Sequence, residues 1–362
     1  MSPPSVLIVR LGALGDIVHA MPVVSALRDA WPDVRIGWLV REAYAGLVAL
    51  VDGVARIHVV RETPDMAAVR EMRAAGYDIC LDLQGLLKSA LYARASGAHR
   101  VIGFSKGLAR EATATLAYTE TGGAPGGHVI DRNVSLLARL GITPATRPGI
   151  RLTVPSSDVV SSAQVLLGGA DVPFALCNPG AGWPNKRWPA DRFGRLADRL
   201  HAEHGLRTLV VWGPGEASLA AEVVRASDAG AAVMAPESTI PDILALARVA
   251  RVVVAGDTGP LHLGAAVGAP LVGLYGPTPP ERNGPWSPLD RSVSRHDACR
   301  CIFKRRCTSD TWCLGRITVD EGAAAVTARL GVPGLDTGPS ACEGVEGGDG
   351  EGTPRLGETR PT

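Results

Sequence analysis

Hydrophobic positions along the chain fall in short runs that alternate with amphipathic stretches. Val6–Val9 is an apolar run ending at a glycine turn, and Ile17–Ala30 follows with helical spacing, stopping before Trp31-Pro32. Arg35–Val40 and Ala55–Val60 read as strands, Asp65–Ala75 as a helix, and Asp78–Leu83 and Val101–Gly103 as further strands. Strands alternating with helices predict a parallel sheet covered on both faces. The rhythm breaks over 143–173, where Pro144, Pro148, Pro155 and Pro173 flank a serine-rich patch and a helix can form over Val159–Leu167. It restarts at Phe174–Asn178. A helix over Asp191–Glu203 follows, then strands over Thr208–Trp212, Ala232–Met234, Arg251–Ala255 and Pro270–Tyr275. Helices are expected between them over Ser218–Ala226, Ile240–Ala247 and Leu261–Val267.

This pattern predicts an N-terminal α/β domain over 1–155, a linker over 156–172, a second α/β domain over 173–332, and a disordered Gly-, Glu- and Pro-rich tail over 333–362. A length of 362 residues with 46% hydrophobic content can fill two cores. Lys plus Arg number 37 against 36 Asp plus Glu, a net charge of +1, which excludes bulk polyanion binding, so nucleic acid is not an expected partner. The apolar run at the start is short and lacks a basic stretch before it, and none elsewhere is long enough to span a membrane. Cytoplasmic residence is the expectation. An odd number of cysteines, 7, with Cys80 and Cys177 inside strand-like runs, argues against a secreted disulfide framework.

Five loops at strand ends carry the candidate chemistry. Arg10-Leu-Gly-Ala-Leu-Gly15-Asp16 has a strand–turn–helix shape but matches neither the dinucleotide fingerprint nor a P-loop. Asp16 is either a helix N-cap or a general base kept ionised by the helix start. Asn178-Pro-Gly-Ala-Gly-Trp-Pro-Asn-Lys186-Arg187 is a glycine-rich loop whose lysine can neutralise phosphate, or a solvated loop. Gly256-Asp257-Thr258-Gly259-Pro260-Leu261-His262 opens a small-residue helix and is either an anion site or a capped turn. Glu216, after Gly213-Pro-Gly, can hold a ribose diol or favour the next helix start. Asp82-Leu-Gln84-Gly85-Leu-Leu-Lys88-Ser89 suits a second polar substrate or a capped helix. Cys299, Cys301, Cys307 and Cys313 are spaced unlike zinc-binding pairs; reduced structural thiols are expected over a metal site. Asp-x-Asp, a metal–diphosphate device, does not occur in the chain.

Taken together, Val6-Leu-Ile-Val-Arg-Leu-Gly-Ala-Leu-Gly-Asp16, Asp82-Leu-Gln-Gly-Leu-Leu-Lys-Ser89, Asp257-Thr-Gly-Pro-Leu-His262 and the cysteine-bearing end before Val319-Asp-Glu321 resemble glycosyltransferase family 9, the ADP-heptose:lipopolysaccharide heptosyltransferases. The resemblance runs over most of 5–330. It implies a GT-B fold, two Rossmann-like domains with parallel sheets facing a central cleft, with acceptor bound by the first and nucleotide sugar by the second. It implies an inverting transferase without cofactor or metal, using Asp16 as base. Donor binding would fall to Lys186, Glu216, Asp257, Thr258, Gly259 and His262. Acceptor binding would fall to Gly15, Gln84, Lys88 and Arg110, with Arg94 and Lys106 as further cations. The partners implied are ADP-heptose and a lipid-linked saccharide, met by peripheral contact at the cytoplasmic face of the inner membrane. Two competing readings share the fold: a nucleotide-sugar epimerase, which converts donor alone, and a silent nucleotide-binding module.

Overall fold

The computed structural model describes residues 4–124, 126–309 and 312–332, so the tail expected over 333–362 lies outside the described residues. The first half builds six strands: β1 (Ser5–Val9), β2 (Arg35–Arg41), β3 (Val54–Val60), β4 (Ile79–Asp82), β5 (Arg100–Phe104) and β6 (Glu120–Gly122). The second half repeats the plan with β7 (Phe174–Asn178), β8 (Arg207–Val210), β9 (Ala232–Met234), β10 (Val252–Gly256), β11 (Leu271–Tyr275) and β12 (Arg291–Ser294). The first sheet runs β3-β2-β1-β4-β5-β6 and the second β12-β11-β10-β7-β8-β9, with every pairing parallel. Both are doubly wound sheets whose strand order reverses beside the first strand of the half. Ligands of such sheets bind outside the carboxyl ends of the strands at that switch point. Four of the five candidate loops leave those strands: β1 and β4 in the first half, β7 and β10 in the second.

The continuous apolar runs follow from burial on both faces. In β1, Val6 and Ile8 pack with Ile17, Val24 and Trp38, while Leu7 and Val9 pack with Leu39, Val60 and Met72 on the other side. Each such side chain contributes about 1.5–3 kcal/mol on full burial. The halves also share a core, because Ile243, Leu244, Leu263 and Ala266 of the second join the cluster built on Ile17, Val18 and Met21.

Several elements depart from the expected pattern. The helix predicted over Ile17–Ala30 is two helices, Leu14–Val18 and Met21–Ala30, with Pro22 in the first turn of the second. Proline lacks the N–H needed to continue the ladder, so the chain turns at His19-Ala20. The strand expected over Thr208–Trp212 is Arg207–Val210. The short edge strands β6 and β12 carry little apolar signal and escape the pattern. So does the helix Val319–Leu330, which is capped by Thr318 and Glu321 and buries Ala323 and Val326 in the second core. Within 156–172 the helix Asp158–Leu167 packs Ala163 and Leu167 against the second sheet. Among the described residues, no helix is long and apolar enough to cross a membrane.

Candidate active site

Asp16 does not cap its helix. The helix begins one turn earlier in the chain than the pattern suggested, with Ala13 at the N-cap, so the capping alternative fails. The carboxylate instead turns to two guanidiniums. Arg10 Nη2 lies 2.7 Å from Oδ1, and Arg110 Nη2 lies 3.0 Å from Oδ2. Arg10 leaves the end of β1 almost fully buried, and its Nη1 donates to the Leu83 carbonyl. Arg110 is set by Gly85, whose left-handed backbone (φ 69°) places a carbonyl to accept from Glu111 N at 3.0 Å. Burial alone would raise the Asp16 pKa, but Arg10 and Arg110 prevail and hold it at about 2.

The second cluster forms at the ends of β7 and β10. Asp257 accepts from Lys186 Nζ at 2.5 Å, Thr278 Oγ1 at 2.7 Å and His262 Nε2 at 3.0 Å. Burial opposes its charge, yet the His262 hydrogen bond and the Lys186 ammonium hold its carboxyl well below the usual range. Gly256 lets the Lys186 loop cross the strand end, since a Cβ there would sit 2.6 Å from the Lys186 carbonyl oxygen. The Lys186 ammonium also lies 4.6 Å from the Trp183 ring centroid. Thr258 caps the helix Gly259–Ala266 by backbone alone, with its hydroxyl 3.4 Å from Asn178 Oδ1. The helix start therefore presents unpaired N–H groups beside a lysine, an arrangement suited to a phosphate. Glu216 occupies the N-cap position of Ala217–Arg225 without a capping bond. It turns to the neighbouring loops, accepting from Gly213 N at 3.2 Å with Arg187 Nη2 at 3.8 Å.

The two clusters meet. A Cβ on Gly15 would lie 2.4 Å from His262 Cδ2, and the His262 ring packs edge-on against His19 with centroids 4.6 Å apart. His19 in turn faces His128 at 5.3 Å, and His128 faces Trp286 of the second half at 4.8 Å. Asp16, Gly15, Arg110, Lys186, Asp257, Thr258, Gly259 and His262 thus belong to one interdomain cleft, while Glu216 stands apart from them against the Gly213 and Arg187 loops.

Gln84 and Lys88 stand differently. Gln84 Oε1 accepts from Leu11 N at 2.8 Å, tying the β4 loop to the β1 loop. Asp82 is fully buried and accepts from Tyr118 OH at 2.7 Å, Ser89 Oγ at 2.8 Å and Gln84 N at 2.8 Å. Lys88 is exposed on the first turn of Leu87–Ala95. The sequence pattern assigns no role to Arg10, although it opens the first candidate loop, nor to Thr278, Arg132 and Arg282. Of these only Arg10 left a signal, as a charge directly after an apolar strand. Cys301 Sγ is 3.4 Å from Cys307 Sγ and Cys299 Sγ accepts from Cys301 N at 3.4 Å, while burial pushes the Cys313 thiol up to about 12. Among the described residues, no group of three or more His, Cys, Asp or Glu is arranged to hold a metal ion.

Comparison with known proteins places this geometry in context. The family model described as glycosyltransferase family 9 (heptosyltransferase) matches residues 66–313. Lipopolysaccharide heptosyltransferase 1 of Pseudomonas aeruginosa is 28% identical over 322 residues, covering 84% of this chain and 87% of that protein. The protein of the same name from Escherichia coli K12 is 29% identical over 296 residues, covering 76% and 88%. The solved structure of E. coli heptosyltransferase WaaC with ADP superposes with a TM-score of 0.70 at 22% identity, covering 89% of this chain and 97% of that one. The fold is GT-B, as the resemblance implied.

Proposed function

The chain belongs to glycosyltransferase family 9 and is a glycosyltransferase, and from that premise we propose that it moves heptose from ADP-heptose to the core saccharide of lipopolysaccharide or a similar lipid-linked acceptor. The names of the similar proteins support the sugar and the acceptor, and the ADP complex of one supports the donor base. The observation that carries the reading is the meeting of an arginine-held carboxylate, Asp16, with the Lys186–Asp257–His262 cluster across one cleft.

In this reading residues 1–155 bind acceptor, 156–172 link, and 173–332 bind donor. Lys186 and the N–H groups at the start of Gly259–Ala266 hold the diphosphate, and Glu216 takes the ribose. Gly15, Gln84, Lys88 and Arg110 flank the acceptor. Asp16 takes the proton of the acceptor hydroxyl as its oxygen bonds the anomeric carbon. The bond from that carbon to the β-phosphate oxygen breaks on the opposite face, and ADP leaves with the electron pair. One displacement inverts the anomeric centre. Fixed cations that stabilise the departing diphosphate can take the role a metal ion plays elsewhere. The acceptor's lipid implies peripheral contact with the cytoplasmic face of the inner membrane.

The test is calorimetric titration with ADP, UDP and GDP in chelator, followed by transfer assays with ADP-heptose. Preference for ADP and product on a saccharide acceptor are expected. Preference for another base moves the function to another sugar. Conversion of donor without acceptor would favour an epimerase, and nucleotide binding without any product a silent module.

A further inference from the structure

Asp82 ends β4 with its side chain fully buried. Among the described residues, no cationic side chain forms an ion pair with it. A buried carboxylate without a counter-charge is costly unless hydrogen bonds fill its lone pairs. Four donors do so. Oδ1 accepts from Gln84 N at 2.8 Å and Gly85 N at 3.3 Å, and Oδ2 from Ser89 Oγ at 2.8 Å and Tyr118 OH at 2.7 Å. Two of these donors are main-chain amides, so the carboxylate fixes the turn over 83–85. Burial pushes its carboxyl up, against the pull of the bonds. Capping of the helix Leu87–Ala95 does not explain the acid. Ser89 Oγ meets Leu86 N at 3.1 Å, and Glu111 accepts from Leu87 N at 2.7 Å.

The other side of the turn holds the groups that grip Asp16. The Leu83 carbonyl accepts from Arg10 Nη1, and Gln84 Oε1 from Leu11 N at 2.8 Å. The Gly85 carbonyl accepts from Glu111 N at 3.0 Å, and a Cβ on Gly85 would lie 3.2 Å from Arg110 N. Arg10 and Arg110 are the two guanidiniums on Asp16. Three consecutive residues thus support both cations, and one carboxylate supports the three residues. We propose that Asp82 is a positioning residue for Asp16, its buried carboxylate aiming Arg10 and Arg110 at the base through the turn over 83–85. The inference rests on the reading of Asp16 as base. Such support matters because a misplacement of roughly 1 Å can cost about 10² in rate.

The test is Asp82→Asn, which keeps the shape and replaces one acceptor oxygen by a donor. The charged groups that bear on Asp16 are Arg10, Arg110 and His19, and Asp82 hydrogen-bonds none of them. Carbon-13 NMR titration of the Asp16 carboxyl in the full-length protein, assigned by its absence in Asp16→Asn, reads the positioning without turnover. The wild type should show no midpoint above about pH 3, and Asp82→Asn should move the midpoint up towards the ordinary aspartate value of about 3.9. Turnover should fall about tenfold or more with ADP affinity unchanged, and the acid limb of kcat/KM should rise with the titration. In an Asp16→Asn background the same substitution should cost little further, because residues that act as one unit are not additive. If Asp82→Asn fails to fold, as judged by melting temperature and ADP affinity, Tyr118→Phe removes one donor from the same carboxylate and should shift the titration the same way by less. An Asp16 carboxyl that titrates as in wild type in the folded variant overturns the proposal. So does a turnover loss that persists in full when Asp16→Asn has itself slowed the enzyme. Near-normal turnover in Asp16→Asn is a separate failure, that of the base reading, and the titration then decides alone whether Asp82 positions the two guanidiniums.

Discussion

Lys186 and Asp257 form an ion pair, with Nζ 2.5 Å from Oδ2, at the place where donor phosphate is expected. The ammonium is therefore positioned before any ligand arrives, and it must be shared between Asp257 and the incoming anion. Lys186→Met keeps an aliphatic side chain of similar length and removes the charge, including its contact with the Trp183 ring. Charge-assisted hydrogen bonds of this kind are worth about 1.5–3 kcal/mol, so ADP should bind roughly 10- to 150-fold more weakly. An ADP dissociation constant equal to wild type would remove Lys186 from the donor site.

Asp257 stands at the centre of three donors, and its removal is a different experiment. Asp257→Ala strands the Lys186 ammonium, which is largely buried, and orphans His262 and Thr278. Breaking a buried pair from one side costs about 3–5 kcal/mol. The loss should be visible as a lower urea midpoint even without ligand. A variant as stable as wild type would mean that the cluster reorganises without strain.

The pairing of Asp16 with Arg10 and Arg110 fixes the sign of its pH dependence. Its carboxyl is held at about 2, below the ordinary aspartate value, so it is ionised throughout the neutral range. The stability this contributes is complete above the ordinary value and lost only as pH falls towards 2. The acid limb of kcat/KM should accordingly carry no apparent pKa of 6–7 from this residue (a value roughly that of a histidine base). Arg110→Gln removes one of the two cations and should move the acid limb upward. Asp16→Asn should cut turnover by about 10²–10⁴ while leaving ADP affinity nearly intact. Near-normal turnover in Asp16→Asn would sink the base assignment.

Much of this site was legible because its loops follow apolar strands. β1, β4, β7 and β10 are buried on both faces and announce themselves as hydrophobic runs. The polar residues after them then stand out, as Asp16, Asp82, Lys186 and Asp257 did. What the pattern hid was partnership across the chain. Arg282 has no periodic context, and its nearness to Arg132 depends on how the two halves pack. Gln84 stood out as a polar residue after a strand, but that its oxygen holds the Leu11 N–H across the sheet did not. The edge strands β6 and β12 are short and half-exposed, so packing and ladder bonds define them more than composition does.

His19 gives a second pH prediction, this time on stability. It is buried against two other imidazoles, and burial followed by the positive charge His262 and His128 would carry pushes its pKa well below the ordinary value. The unfolded chain takes up a proton near pH 6.5 that the folded chain refuses. Stability is thus full above that pH and falls as the pH drops below it. Melting temperature should decrease from pH 7.5 to 5. His19→Phe should flatten part of that slope, the remainder belonging to His58 and His128, which burial also lowers. An identical slope in the variant would show that His19 is protonated without cost.

Gly15 tests the contact between the halves most directly. It sits in the helix Leu14–Val18 where His262 crosses, and the Cβ of an alanine would lie 2.4 Å from the imidazole Cδ2. That ring cannot swing aside freely, because its Nε2 is bonded to Asp257 and it packs in a T-shaped contact with His19. Gly15→Ala must therefore push the helix and the donor loop apart. Overpacking of this kind costs about 1–3 kcal/mol, offset only slightly by alanine's better helix propensity. Displacing a reacting group by roughly 1 Å can cost about 10² in rate. The expected result is a lower melting temperature, a turnover loss of about that size, and ADP affinity closer to wild type than turnover is. If Gly15→Ala instead matched wild type in turnover and stability, Asp16 and His262 would have to be free to move apart without consequence, and the cleft would not act as one site.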